Sequence, residues 1–171
     1  MSVKITYFVH GTTKDNEQDL STGWASGDLS ELGIRQAVEL GKLVAGRRFD
    51  VIFCSDLKRA IESAQLGFGD KYEIISDPRL RECNYGDFTQ KPSEFKSDMN
   101  EWIERPFPNG ESYKDMEGRV REFLDSLKEN YKGKHVGIVA HEAPQLALEV
   151  LTRKKSWREA IAENWRNTKS W

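Results

Sequence analysis

The sequence predicts an α/β fold built on a mainly parallel sheet, and two observations carry that expectation. Short β-type runs alternate along the chain with segments of helical periodicity, which is the pattern of βαβ units. The first apolar run, Tyr7-Phe8-Val9, ends abruptly in His10-Gly11 and polar loop residues follow. That places an imidazole at the carboxyl end of a strand, where open α/β sheets bind ligands. At 171 residues the chain is expected to form a single domain, residues 1–171, with a substantial core.

Taken in order, Lys4 to Val9 reads as the first strand. Ser30 can cap a helix whose apolar face includes Ile34, Ala37, Val38 and Val44, with Gly46 to end it. Asp50 to Cys54 reads as a second strand, and Ser55 or Asp56 as the cap of a helix through about Leu66. Tyr72 to Ile75 is a short third strand, stopped by Asp77-Pro78. Arg79 to Asn109 is the least regular region. A helix over Lys91 to Ile103, beginning near Pro92, fits there, and Pro106 and Pro108 break it. Ser112 and Asp115 form a capping pair for a helix running to about Asn130. His135 to Ala140 is the fourth main strand, and Pro144 suits the first turn of the next helix. Ser156 can cap a last short helix, and Asn164 to Trp171 reads as an edge strand. Trp157, Trp165 and Trp171 are expected to pack against the domain.

Composition narrows the function classes. The net charge of −2 gives no general attraction to nucleic acid or to an anionic membrane surface. No apolar run approaches membrane-spanning length, and Met1 to Ile5 reads as the approach to a strand rather than a signal peptide. Cys54 lies in an apolar strand run, and Cys83 follows Glu82 in a loop, where partial exposure is expected. Two cysteines make no disulfide framework, so a reduced, cytoplasmic setting is the expectation. No His, Asp and Glu trio has metal-ligand spacing.

Six segments then follow one another along the chain. His10, Gly11, Thr13 and Asn16 follow the first strand. Gly23 to Gly33 leads into a helix through Gln36-Ala37. Val51 to Ala60 contains Ser55-Asp56-Leu57-Lys58-Arg59-Ala60. Leu80-Arg81-Glu82 precedes Gly86-Asp87-Phe88. Pro108-Asn109-Gly110-Glu111-Ser112 comes next, and Val136 to His141 is a late strand ending in His. Together, over nearly the whole chain, these resemble the histidine phosphatase superfamily, the phosphoglycerate-mutase-like fold. The resemblance implies a three-layer α/β/α sandwich with a mainly parallel sheet. It also implies phosphomonoester hydrolysis on a small phosphorylated substrate, with no metal and no other cofactor.

The resemblance assigns roles residue by residue. His10 is the nucleophile that becomes phosphohistidine. Arg59 grips phosphate oxygens, and His141, beside a helix amino terminus, donates to the phosphate. Glu82 is the general acid and base. Gly11 lets the backbone pass close to the His10 ring, Asn16 adds a neutral hydrogen bond, and Thr22 and Gly23 stand at the rim. The stretch from Gly86 to Asn109 is the candidate lid.

Three positions depart from the family pattern. Val9 stands where the family has Arg, Thr12 where it has Glu, and Glu142-Ala143 where it has a pair of glycines. Losing one preorganised donor to transition-state charge typically costs about 3–4 kcal/mol, so turnover is expected to be slow or narrow in substrate. Lys14, Arg79 and Arg81 are candidates to replace the missing charge. Two readings stay open: a phosphomonoesterase, and a catalytically impaired relative that binds a small molecule or a protein in the inherited pocket. Oligomeric state is not legible.

Overall fold

A computed structural model of the protein describes residues 2–164. Four strands, β1 (Lys4–Val9), β3 (Val51–Cys54), β4 (Ile74–Ser76) and β6 (His135–Ala140), form one sheet in the order β1-β6-β3-β4, every pairing parallel. The short β2 (Leu20–Ser21) and β5 (Lys91–Pro92) pair antiparallel beside it. Among the described residues, six α-helices accompany them: α1 (Lys14–Glu17), α2 (Glu31–Leu43), α3 (Lys58–Phe68), α4 (Tyr113–Asn130), α5 (Glu142–Arg153) and α6 (Trp157–Ala162).

The central strands show why the layers form. All four residues of β3 are buried, although a strand covered on one face only would alternate. Val51 and Phe53 join a core with Val120, Phe123 and Leu127 of α4 and Leu146 and Ala147 of α5. Ile52 and Cys54 join a second core with Ala64 and Phe68 of α3, Phe49 and Val139. The sheet thus lies between α2 with α3 on one face and α4 with α5 on the other, the expected three-layer arrangement.

Several boundaries fall where local chemistry put them. β1, β6 and α4 span the expected residues. Ser112 Oγ accepts from the Asp115 N–H while the Asp115 carboxylate accepts from the Ser112 N–H, a complete capping box. Ser156 and Glu159 repeat it at α6. Trp157 packs as expected, stacked on Tyr113 with ring centroids 5.4 Å apart and its Nε1–H on Glu117. The expected edge strand from Asn164 falls outside the described residues except for Asn164 itself, as do Trp165 and Trp171.

Other expectations need correction. Ile34 and Val38 are 44% and 37% exposed, so they are not the inner face of α2. That face is Gly33, Ala37 and Gly41, because α2 lies against backbone: a Cβ at Gly41 would sit 2.4 Å from the Gly67 oxygen in α3, and one at Gly33 would sit 2.0 Å from the Thr12 oxygen. α2 ends at Leu43, short of Gly46. Neither Ser55 nor Asp56 is the N-cap of α3; Leu57 is, with no side-chain cap bond. Asp56 instead grips Arg81 at 2.7 and 2.8 Å. The third main strand is shifted to Ile74–Ser76. The expected helix from Lys91 to Ile103 is a strand at Lys91–Pro92, then 3-10 turns over Ser93–Trp102 broken at Asp98. Cys83 is fully buried.

The glycine contrast is testable. Gly41→Ala should lower unfolding stability by about 1–3 kcal/mol, the usual cost of forcing atoms into a close-packed contact. Gly118→Ala, in α4 with nothing within 4 Å of the added Cβ, should raise it by about 0.5–1 kcal/mol through helix propensity. Urea unfolding of both variants measures the difference, and similar shifts would show that α2 and α3 do not depend on that approach.

Candidate active site

Parallel strands deliver their following loops to one edge of the sheet. β1 delivers His10, β3 leads through a short turn to Arg59, β6 ends at His141, and the loop after β4 carries Glu82. The four principal candidates from sequence therefore meet at the carboxyl edge.

His10 is held by its own backbone and the next carbonyl. Its N–H donates to the Ala140 oxygen at 3.0 Å, and its Nδ1 lies 2.7 Å from the Gly11 oxygen. A carbonyl only accepts, so Nδ1 carries the hydrogen and Nε2 keeps its lone pair. Gly11 is required here because a Cβ would meet the Gly33 oxygen at 2.3 Å. Its N–H is fixed on Ser63 Oγ at 3.0 Å.

Arg59 is 1% exposed. Its Nε–H points to His10 Nε2 at 3.3 Å, and its terminal nitrogens donate to the carbonyls of Ala25 (3.0 Å) and Gly23 (2.8 Å). Burial lowers its pKa, opposed by the charges of Glu82, Tyr85 and Asp15. Gly23, at φ +53°, allows the turn that offers its carbonyl.

Glu82 is buried at the amino end of α5. Its Oε1 accepts from the N–H groups of Cys83 (2.9 Å) and Ala143 (3.2 Å). The Glu82 carbonyl is gripped by Arg119 (2.8 Å) and by Trp24 Nε1–H (2.7 Å). Arg119 also holds the carbonyls of Arg79 and Arg81 and the Glu111 carboxylate. One guanidinium therefore fixes the whole loop that carries Glu82.

His141 is fully buried, and both ring nitrogens lack a hydrogen-bond partner. Burial pushes its pKa well below the ordinary imidazole value, and Arg59, His10, Arg119 and Lys96 push the same way. Its ring lies 5.0 Å from that of His10. Tyr7 sets its backbone: the phenol donates to the His141 carbonyl at 2.7 Å and accepts from the His141 N–H at 3.1 Å. The next residue, Glu142, is also buried and accepts from Asn164 Nδ2 at 2.6 Å.

These groups border a polar recess lined by His10, Asn16, Thr22, Gly23, Arg59, Glu82, Tyr85, Lys96 and Glu142. His141 stands behind it against His10, and Gly11 lines the wider groove alongside. Thr22 Oγ1 is buried without a partner. Asn16 spends Oδ1 and its N–H on the capping box with Thr13, so only its Nδ2 is available to the recess. Lys14, Arg79 and Arg81, the sequence candidates for replacement charge, do not line the recess and pair with Asp28, Asp77 and Asp56. Lys96, which the sequence reading passed over, lines the recess. So do Tyr85 and Glu142. Arg119 and Trp24 were missed as well, because their partners are backbone carbonyls distant in sequence. Among the described residues, no group of three His, Cys, Asp or Glu could hold a metal ion, and no helix is long and apolar enough to cross a membrane.

Known proteins resemble this chain in sequence and in fold. A 2,3-bisphosphoglycerate-dependent phosphoglycerate mutase of Streptococcus uberis is 42% identical over 95 residues, which is 52% of this chain and 41% of that protein. The match thus spans about two-fifths of that relative's length. A putative α-ribazole-5′-phosphate phosphatase from Escherichia coli superposes with a TM-score of 0.84 at 25% identity, over 94% of this chain and 84% of that one. A mycobacterial glucosyl-3-phosphoglycerate phosphatase superposes with a TM-score of 0.78 at 27% identity, over 91% and 82%. The family model described as histidine phosphatase superfamily (branch 1) matches residues 7–168. With that match running from β1 past the last helix, the chain belongs to the histidine phosphatase superfamily.

Proposed function

We propose that this protein hydrolyses phosphomonoesters through a phosphohistidine on His10. The observation that carries the reading is the His10 geometry: Nδ1–H on the Gly11 carbonyl, and Nε2 presented to the buried Arg59 guanidinium. An imidazole so held is a preset nucleophile, and Arg59 is a preset anion site. Nε2 attacks phosphorus, the bond to the leaving oxygen breaks, and Glu82 gives that oxygen a proton. Water then attacks the phosphohistidine, Glu82 takes its proton, and the N–P bond breaks to release phosphate. Arg59 binds the phosphoryl oxygens throughout. His141 gives its unpartnered ring nitrogen to one of them. The substrate is a small phosphorylated molecule, and the setting proposed is cytoplasmic. The competing reading, a binding module without turnover, draws on Glu142, whose carboxylate lines the recess and repels an anion.

Rapid quench with a labelled phosphomonoester should trap acid-labile, base-stable phosphate on His10, and His10→Ala should abolish it. Tight ligand binding with no phosphoenzyme would favour the binding module, and full activity in His10→Ala would sink the mechanism.

Glu82→Gln should slow an alkyl phosphate much more than p-nitrophenyl phosphate, whose leaving group needs little protonation. Equal slowing would restrict Glu82 to positioning.

The buried His141 also links stability to pH. Its folded pKa lies below the unfolded value of about 6.5, so between the two the unfolded chain binds the extra proton. Stability should therefore be intact above about pH 6.5 and fall below it, by up to about 1.4 kcal/mol per pH unit from this group. His141→Gln should flatten that slope in urea unfolding across mildly acidic pH. An unchanged slope would place the acid sensitivity elsewhere.

A further inference from the structure

We infer that Lys96, carried by the irregular segment above the site, is the second phosphate-binding cation of the recess. This inference rests on the phosphomonoesterase reading and adds a substrate contact to it. Among the described residues that line the recess, the permanent cations are Arg59 and Lys96. Position 9, at the end of β1, offers only the Val9 side chain, and that lines the outer groove rather than the recess. A single guanidinium leaves a phosphate dianion half neutralised, and Lys96 supplies the balance.

The placement of Lys96 is built into the fold. It has no carboxylate partner among the described residues; its ammonium lies 4.7 Å from the centre of the Tyr85 ring, and Tyr85 is itself a buried wall of the recess. A cation resting on an aromatic face keeps its charge available to an incoming anion. The preceding residue, Phe95, is clamped by Tyr85 (5.2 Å), Phe88 (5.1 Å) and Phe107 (5.4 Å), and its carbonyl accepts from Trp102 Nε1–H at 3.3 Å. Aromatic packing thus helps hold in place the 3-10 turns that carry Lys96. The charge reaches the interior too: it contributes to the depressed pKa of His141.

Lys96 is expected to bind the phosphoryl group in the ground state and the transition state alike. Its loss should therefore raise KM and weaken inorganic phosphate binding, with a smaller effect on kcat. The test is calorimetric titration of the intact protein with inorganic phosphate near neutral pH, using wild type, Lys96→Gln, Lys96→Arg, Lys91→Gln and Arg59→Gln. Lys96→Gln should weaken phosphate binding by about ten-fold or more, the usual scale of a hydrogen bond to a charged group. Lys96→Arg should retain most of the affinity, and Lys91→Gln, an exposed lysine of the same region, should match wild type. A Lys96→Gln protein that binds phosphate as wild type does, while Arg59→Gln does not, would overturn the inference and leave the hydrolase reading standing. Absence of phosphate binding in wild type, or binding indifferent to Arg59→Gln, would overturn both.

Discussion

The site depends on a buried guanidinium held by neutral hydrogen-bond acceptors. Arg59 makes no ion pair among the described residues; its hydrogen bonds go to two carbonyls and an imidazole nitrogen. Burying a charge in this way costs several kcal/mol, and neutral acceptors return only part of it. The fold bears that cost because Arg59 ties three segments together: the His10 loop, the Gly23–Ala25 turn and the first turn of α3. It also keeps in the recess a positive charge that is held by neutral acceptors rather than locked in an ion pair. That is the condition for electrostatic preorganisation, in which the dipoles and charges need not reorient as negative charge develops.

A second guanidinium, Arg119, does the corresponding work for Glu82. It lies beyond the loop and holds it by the carbonyls of Arg79, Arg81 and Glu82, braced by Glu111 and by the Trp24 face 5.9 Å away. Arg81 adds a second cation over Trp24 at 4.8 Å while pairing with Asp56. Irregular backbone of this kind is well defined when its carbonyls are satisfied by fixed donors. The same logic applies to the segment above the site, where stacked Trp102 and Phe107, 4.3 Å apart, replace hydrogen-bond ladders.

Elements set by local chemistry were legible in the sequence. The Ser112–Asp115 box, the β6 apolar run and the His10-Gly11 break each carry their own signal within a few residues, and the strand ends bring His10, Arg59, Glu82 and His141 to one edge. Features set by distant partners were not. The inner face of α2 is small rather than apolar, because what it meets is α3 backbone at Gly67. Asp56 looked like a helix cap, but Arg81 outbids the α3 amides for it. Cys83 looked like a loop residue, yet it is sealed under Glu111 and Ser112, whose carbonyls lie 3.8 and 4.0 Å from its sulfur. Lys96 sits in a stretch with no periodicity, and nothing in its neighbours distinguishes it from Lys91.

On the proposed reading, the placement of charge lets the recess take a dianion despite its two acidic walls. Arg59 and Lys96 share the recess with Glu82 and Glu142. They are not equivalent in position. Glu82 Oε1 is committed to the amides of Cys83 and Ala143, and Glu142 Oε1 to Asn164, whereas Arg59 and Lys96 lack carboxylate partners among the described residues. Acidic oxygens are thus turned partly into the protein while the cations stay available. His141 completes the arrangement. Burial is the main reason its imidazole stays neutral, and Arg59 and Lys96 add to it; on the proposed reading a bound phosphate would offset those two charges and ease protonation of His141. On that reading phosphate binding and protonation of His141 are linked, with Arg59 in contact with His10 and acting on His141 alike.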